Sequence, residues 1–470
     1  MAEKSKQKST SERVLIGLEI HGYIETREKL FCECKNFHDM KKIKPNTNIC
    51  PICTGQPGNK PMLPNKSAVD KILQIGLLLN CKPSVVEDKK YLIFQRKHYN
   101  WPDMPSGYQK TISGAYATHV AEGGLFEGIR IREVHLEEDP AAWNPDNGQI
   151  DYNRAGVPLV EIVTEPDFHT AEEVSTWLKK IVLTLSYIKA LNKDAGIKAD
   201  VNINIKNLSE RTEVKNVNSI SEIVRVIESE TERHLHEKPI DRETRRWNPT
   251  KGKTELMRSK EEQADYRFIP DPDLPVLQIT KKRVELLKKN IPETPMEKLH
   301  KIISQHKINS SDAEVLTKNI EIVELFEEVI KKIPASIAVP WITVEWLSVL
   351  NYNKKAMDEI TINPQHFVEL FGLVQKENIT PLKAKEILRK FIPQSFSPLQ
   401  EAKQSQTIDD EKKLQEIIKQ VIQKNEKSTQ DYKKGEEKAF HFLMGQVMQA
   451  TNKRADYKQV KIILEKELKS

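Results

Sequence analysis

No run of about 18 apolar residues occurs in the 470-residue chain, which excludes a membrane-spanning helix. The first residues, MAEKSKQKSTSERV, lack the apolar stretch of a secretory signal. They carry Glu3 and Glu12 and lack the arginine bias of a transit peptide, so the cytoplasm is the expected compartment. No Walker-type G-x-x-x-x-G-K-[ST] is present, and glycine is only 17 of 470 residues. A nucleotide, if bound, would rest on a sheet through metals and side chains instead of in a P-loop. Dense basic blocks are missing too: residues 401–470 hold 15 Lys and Arg against 12 Asp and Glu. The net charge of +6, with a pI near 8.7, permits a nucleic-acid partner without demanding one. Five cysteines in such a chain do not make a disulfide framework.

Four of those cysteines nevertheless cluster. Cys32 and Cys34 in FCECKNF form C-x-C, and after 15 residues Cys50 and Cys53 in NICPICTGQPG form C-x-x-C. Two close pairs let four thiolates converge tetrahedrally on one Zn²⁺. Unrelated reduced thiols are the plainer alternative. Cys81, alone in LLLNCKPS, reads as a small core residue. With 38% hydrophobic and 30% charged residues and a mean hydropathy of −0.58, the chain is of the soluble globular class. Its length suffices for two to four domains with real cores.

The stretch RVLIGLEIHGYIET (13–26) has a strong strand pattern, yet Glu19 and His21 sit in its middle. Residues two apart on a strand share a face, and an unpaired buried carboxylate costs several kcal/mol. Either this is an edge strand with a solvated face, or the pair ligates a metal. Two later strands repeat the oddity. REVHLEEDPAAW carries Glu137, Glu138 and Asp139, and adjacent strand residues face opposite ways, so Glu137 and Glu138 cannot serve one site together. In AGVPLVEIVTEPDF, Glu161 is flanked by Leu159, Val160, Ile162 and Val163. Carboxylates brought from separate strands suit a hard cation such as Mg²⁺, with ion pairs to nearby arginines as the alternative.

FQRKHYNWPDMPSGYQ (94–109) crowds Arg96, Lys97, His98, Tyr99 and Trp101 together. Such a mixture fits a nucleic-acid surface, a polar active-site wall or a channel for a small polar molecule. EVKNVNS (213–219), with Lys215, and the 242–268 region, with Arg245, Arg246, Arg258 and Arg267, offer cations suited to phosphate. Those arginines could equally bind the acids interleaved with them.

Along the chain, residues 1 to about 290 mix β-patterned runs (GIRIREVHLEE, GVPLVEIVTEP, DVNINIKNL) with helical spacing in DKILQIGLLLN and AEEVSTWLKKIVLTLSYIKAL. Thr170 is a plausible N-cap for the last. The absence of regular βαβ alternation indicates an α+β domain with a large antiparallel sheet. YRFIPDPDLPVLQIT, with Pro270, Pro272 and Pro275, reads as a linker. A mainly helical region follows, then a proline-containing hinge at 393–407 and a smaller helical unit.

GLEIH, FCEC…PNTNICPICTGQPG, RKHYNWPDMPSGYQ, HLEED, DYNRAGVPLVEIVTEPD, EVKNVNS, ETRRW and MRSKEEQADYRF resemble, in order, the signatures of one family, the B subunits of aspartyl/glutamyl-tRNA(Asn/Gln) amidotransferases. GEEKAFHFLMGQVMQAT is similar to that family's tail domain, shared with small YqeY-like proteins. The resemblance implies a glutamine-synthetase-like antiparallel cradle (1–291), an all-α helical domain (292–405) and an all-α YqeY-like tail (406–470). It also implies a ligase activity: ATP- and Mg²⁺-dependent phosphorylation of the side-chain carboxylate of Glu-tRNA(Gln) or Asp-tRNA(Asn), then amidation by ammonia. The implied Mg²⁺ ligands are Glu19, His21, Glu138 and Glu161, the second Glu of the pair being the one the family uses. Lys97 and Tyr99 fall where the family lines its ammonia path, and the four cysteines match its zinc-binding form. No glycine- and serine-rich amidase signature is present, which implies a separate glutaminase subunit, and the family adds a small belt-like third subunit. The chain departs from the family in the loop after Asp139 that begins at Pro140, at NKDAGIK and at NKRADY, none of which touches the implied ligands. A non-catalytic tRNA-binding or assembly subunit of the same complex is the competing expectation.

Overall fold

Alternation along single strands sets the architecture. Strand β1 (Val14–Tyr23) turns Ile16, Leu18 and Ile20 to one side, each at most 3% exposed, and half-exposes Glu19, His21 and Tyr23 on the other. The computed structural model describes residues 14–469 except 38–42, 99–100, 114–116, 145, 192–195, 260–266, 404–410 and 452–454. The chain divides into two compact units, Met1–Thr294 and Pro295–Ser470, where a first division was expected at 291/292.

Unit 1 is built on one mixed sheet. Its strands after β1 are β2 (Lys82–Pro83), β3 (Gln95–His98), β4 (Tyr108–Thr111), β5 (Ala121–Phe126) and β6 (Ile129–Glu138). A separate short pair, β7 (Ala142–Trp143) and β8 (Ile150–Asp151), precedes β9 (Pro158–Thr164), β10 (Ile197–Ile205) and β11 (Thr212–Val217). The last strands are β12 (Glu243–Asn248), β13 (Lys253–Ser259) and β14 (Arg267–Pro270). The 12-stranded order is β13-β12-β11-β10-β1-β9-β6-β4-β3-β14, with β5 on β6 and β2 on β5. Every pairing is antiparallel except β11–β12. The run around Pro270, read as linker, forms the outermost strand instead. Pro270 pairs with Gln95 at the sheet edge, where a missing N–H is tolerated.

Helices cover the apolar face. Helix α1 (Lys66–Leu78) starts at the Asn65 cap, and α2 (Ala171–Tyr187) starts at a capping box of Thr170 and Glu173. Helix α3 (Ile220–Glu237) is capped by Ser219. Val174, Leu178 and Ile181 of α2 and Ile223, Val226 and Ile227 of α3 join Leu18, Ile20, Leu136, Ile162 and Val201 in one core. Each such side chain removed from water stabilises the fold by roughly 1.5–3 kcal/mol. The face opposite these helices is left free for polar groups.

Unit 2 is helical. From Leu414 to Leu468 it gathers a core of its own, with Leu414, Ile418, Leu443, Val447 and Leu464 fully buried. The expected division at 405/406 falls on residues outside those described. Among the described residues no helix is long and apolar enough to cross a membrane.

Candidate active-site cleft

Register carries the acidic strands to a common place. His21 of β1 pairs with Glu161 of β9, and Glu161 pairs with His135 of β6, so the three lie in one row across the sheet. Glu137, two residues beyond His135, shares its face. Ligand atoms of His21, Glu137 and Glu161 all lie within 4.8 Å of one another, a grouping able to hold a metal ion. His21 Nε2 stands 3.9 Å from Glu161 Oε1. Glu137 is fixed from β4, where Gln109 Nε2 donates to Oε2 at 3.2 Å and Thr111 Oγ1 donates to Oε1 at 2.8 Å.

A second grouping adjoins it. Glu19 pairs with Asp200 across β1 and β10, and with Glu213 of β11 they place ligand atoms within 4.8 Å. A register shift sets two residues of β11, Lys215 and Asn216, opposite Asp200, a bulge on β11. Lys215 Nζ donates to Asp200 Oδ2 at 3.2 Å and to Glu213 Oε1 at 2.5 Å. Asn202 donates to Glu19 at 3.0 Å, while its own Oδ1 is buried with no hydrogen-bond partner among the described residues. An orphaned oxygen beside three carboxylates is what a site shaped for a cation presents.

The charges respond to this crowding. Burial raises Glu161, Glu137 adds to the rise, and His21 and His135 offset it only in part, so its carboxyl is pushed up to about 7. Burial opposes ionisation of Glu137 as well, but Lys97, His21 and the Thr111 hydrogen bond hold it below the usual carboxylate range. For His21, burial would lower the pKa, yet Glu161, Asp200, Glu137 and Glu19 outweigh it and raise it.

Above the row opens a cleft of about 780 Å³, lined by His21, Glu137, Lys97, Lys215, Asp200 and Trp101 among others. Trp101 and Trp143 meet edge to face at 5.5 Å on its wall.

The thiol cluster braces that wall. Cys32, Cys34, Cys50 and Cys53 bring their sulfurs within 4.8 Å of one another. Cys34 Sγ and Cys53 Sγ are 4.0 Å apart, near the roughly 3.8 Å edge of a sulfur tetrahedron with bonds of about 2.3 Å. A hydrogen bond from Cys32, then Lys29 and the Cys50 N–H, hold the Cys53 thiol well below its ordinary value despite its burial. Lys29, 1% exposed, sits 3.5 Å from it and also donates to the carbonyls of Asn48 and Tyr152. Gly55, two residues past Cys53, has φ +62°, and a Cβ there would come within 2.6 Å of Pro105, in the segment that supplies Trp101.

The family model described as the GatB/GatE catalytic domain matches residues 14–285, and a second, described as a GatB domain, matches 324–468. A Methanopyrus kandleri protein, named as the B subunit of an aspartyl/glutamyl-tRNA(Asn/Gln) amidotransferase, is 40% identical over 453 residues, covering 94% of this chain and 96% of its own. The chain belongs to the GatB/GatE family. Relatives of the same name in Methanocaldococcus jannaschii (40% over 469 residues, 96% and 97% covered) and Methanothermobacter thermautotrophicus (40% over 446 residues, 94% and 97% covered) extend the likeness over nearly the full length.

For this member of the GatB/GatE family, the expected residue set is only partly assembled. His21 and Glu161 meet, and Glu19 lies in the neighbouring group. Glu138 does not join them. Strand alternation turns it to the other face, where the Lys110 N–H donates to it at 2.8 Å and Lys110 Nζ at 3.1 Å. Glu137 is the member of the pair that lies with His21 and Glu161. Lys97 lies on the cleft wall, and Tyr99 lies outside the described residues. Arg245 is held on the helix-covered side by Thr254, Glu243 and Glu230. Arg246 pairs with Glu255, Arg267 is exposed at the opposite edge, and the Arg258 side chain lies outside the described residues. Asp200 and Glu213 went unrecognised in the sequence. Asp200 alternates with Lys198 and Asn202 between apolar Ala199, Val201 and Ile203, the same signal that marked Glu19.

Proposed function

We propose that this chain is the B subunit of a tRNA-dependent amidotransferase and carries its kinase and amidation site. The observation that carries the reading is the acid-and-imidazole row of His21, Glu137 and Glu161, with Glu19, Asp200 and Glu213 beside it, under a cleft large enough for a nucleotide. The substrate is Glu-tRNA(Gln), Asp-tRNA(Asn) or both, together with ATP. A carboxylate resists ammonia because oxide would have to leave. Transfer of the γ-phosphoryl group from ATP to the side-chain oxygen gives an acyl phosphate and ADP. Ammonia then attacks the carbonyl carbon, inorganic phosphate departs with the C–O bonding pair, and a proton is released from nitrogen.

His21, Glu137 and Glu161 would hold one magnesium ion and Glu19, Asp200 and Glu213 a second. Magnesium, when bound, supplies charge neutralisation at the transferring phosphoryl group. The protein's own part is positioning. Gln109 and Thr111 fix Glu137, Lys97 and Lys215 present cations to phosphate oxygens, and the Trp101–Trp143 wall offers a face for a base. Cys32, Cys34, Cys50 and Cys53 would hold structural zinc, which would stiffen the segment carrying Trp101. Ammonia comes from an amidase-type glutaminase subunit, and a small third subunit joins the complex.

An amidation assay with each purified mischarged tRNA and the partner subunits tests this. Formation of Gln-tRNA or Asn-tRNA should require ATP and magnesium and should stop in Glu161→Gln while tRNA binding persists. Wild-type turnover by Glu161→Gln would instead favour a non-catalytic assembly subunit.

A further inference from the structure

Next to the magnesium-type row, the same sheet gathers a different donor set. Glu133 and His135 are two apart on β6, and the Val120 N–H donates to the Val134 carbonyl at 3.1 Å, which brings His119 alongside them. His119 Nε2 lies 2.8 Å from Glu133 Oε2, and His135 Nε2 lies 3.4 Å from that same oxygen. Ligand atoms of all three fall within 4.8 Å of one another. The rings stand edge to face with centroids 5.0 Å apart, so both nitrogens converge without stacking.

The second nitrogen of His135 is already committed. Its Nδ1 is 3.0 Å from the Ile112 carbonyl and must carry the proton there, since two acceptors do not bond. Nε2 then faces a carboxylate oxygen, and a proton or a metal ion has to lie between them. A backbone carbonyl that fixes the tautomer of a buried imidazole is the usual support of a metal-ligating histidine. His119 is the less supported of the two, its Nδ1 being buried with no hydrogen-bond partner among the described residues.

We propose that His119, Glu133 and His135 form a further metal centre that takes a divalent transition ion of the zinc, cobalt and manganese class. Two imidazoles with one carboxylate suit such ions, whereas the two groups assigned to magnesium are dominated by carboxylate oxygens. None of the three belongs to either group assigned to magnesium. The ion neutralises Glu133 and ties the segment before β5 to β6, where His135 pairs with Glu161. Its role is structural and electrostatic, and no bond is made or broken there.

Cobalt(II) is the probe. Full-length chain with zinc on its thiolates is dialysed against cobalt with excess magnesium, and metal content and visible absorption are measured. Wild type should retain one further equivalent of cobalt with weak visible bands and no new thiolate charge transfer. His119→Ala and Glu133→Gln should each lose that equivalent and keep the zinc. Equal cobalt in wild type and both variants, or extra cobalt bearing thiolate absorption, would overturn the assignment. Glu133→Gln conserves volume and decides the matter if His119→Ala unfolds. The readout is bound metal, so failure here leaves the amidation reading standing, and loss of turnover in Glu161→Gln leaves this site untouched.

Discussion

Glu137 and Glu138 are neighbours in sequence with opposite duties, and substitution separates them. Glu138 is 6% exposed and pairs with an equally buried Lys110, so Glu138→Gln strands a buried ammonium. Breaking such a pair costs roughly 3–5 kcal/mol. Denaturant unfolding should register that loss, while turnover per folded molecule stays near wild type. Glu137→Gln should show the reverse, with small change in stability and amidation reduced by more than the roughly 10–100-fold that follows loss of a mere supporting partner. If Glu138→Gln abolished turnover and Glu137→Gln did not, the face assignment would be inverted. At the thiolates, wild type should carry one zinc per chain by elemental analysis, and Cys50→Ser should release it. A stable wild type free of zinc would remove the four-sulfur reading. These sites differ in how visible they were beforehand. The cysteine spacing and the Glu19–His21 alternation are local signals and can be read from the chain. Which of two adjacent glutamates faces the cleft depends on the register of β6 against β4 and β9, a long-range fact that local alternation alone does not supply.

Among the elements, α3 is fastened to the sheet by one buried carboxylate. Glu230 receives Arg233 Nη2 at 2.7 Å and Thr254 Oγ1 of β13 at 2.5 Å, with Arg245 Nε of β12 at 3.9 Å. Burial would raise its pKa, but bonds from His234, Arg233 and Thr254 outweigh this and bring it from 4.5 down to about 2. A depressed carboxyl stabilises the fold above its unfolded pKa, and that contribution fades as pH falls towards the folded value. The shift corresponds to about 3 kcal/mol. Urea unfolding of wild type and Glu230→Gln should therefore differ most near neutral pH, and the gap should narrow by about that amount towards pH 2.5. A gap independent of pH would show that Glu230 is not ionised in the fold. This anchor also explains why Arg245 could be read two ways in the sequence. Arginines beside acids on a strand look alike whether they await phosphate or hold a helix, and only the α3 partner distinguishes them. β14 was hidden for a related reason: its prolines forbid a central strand, but an edge strand needs few donors.

At the scale of the molecule, the two units divide the labour the proposed reaction requires. All the candidate metal ligands discussed above lie in unit 1, whereas the core from Leu414 to Leu468 contributes none of them. A self-contained helical core of this kind folds on its own contacts, so its removal should leave the sheet and its cleft intact. Truncation before residue 408 should accordingly keep the zinc content and the unfolding transition of unit 1, while weakening tRNA binding. The loss should appear mainly in KM for the aminoacyl-tRNA, with kcat at saturating tRNA close to wild type, because uniform binding has been removed and not transition-state stabilisation. Filter binding and steady-state amidation on the assembled complex measure both quantities. Unchanged tRNA affinity would take the recognition role away from the tail. A fall in kcat with KM unaltered would place the tail in the chemistry instead.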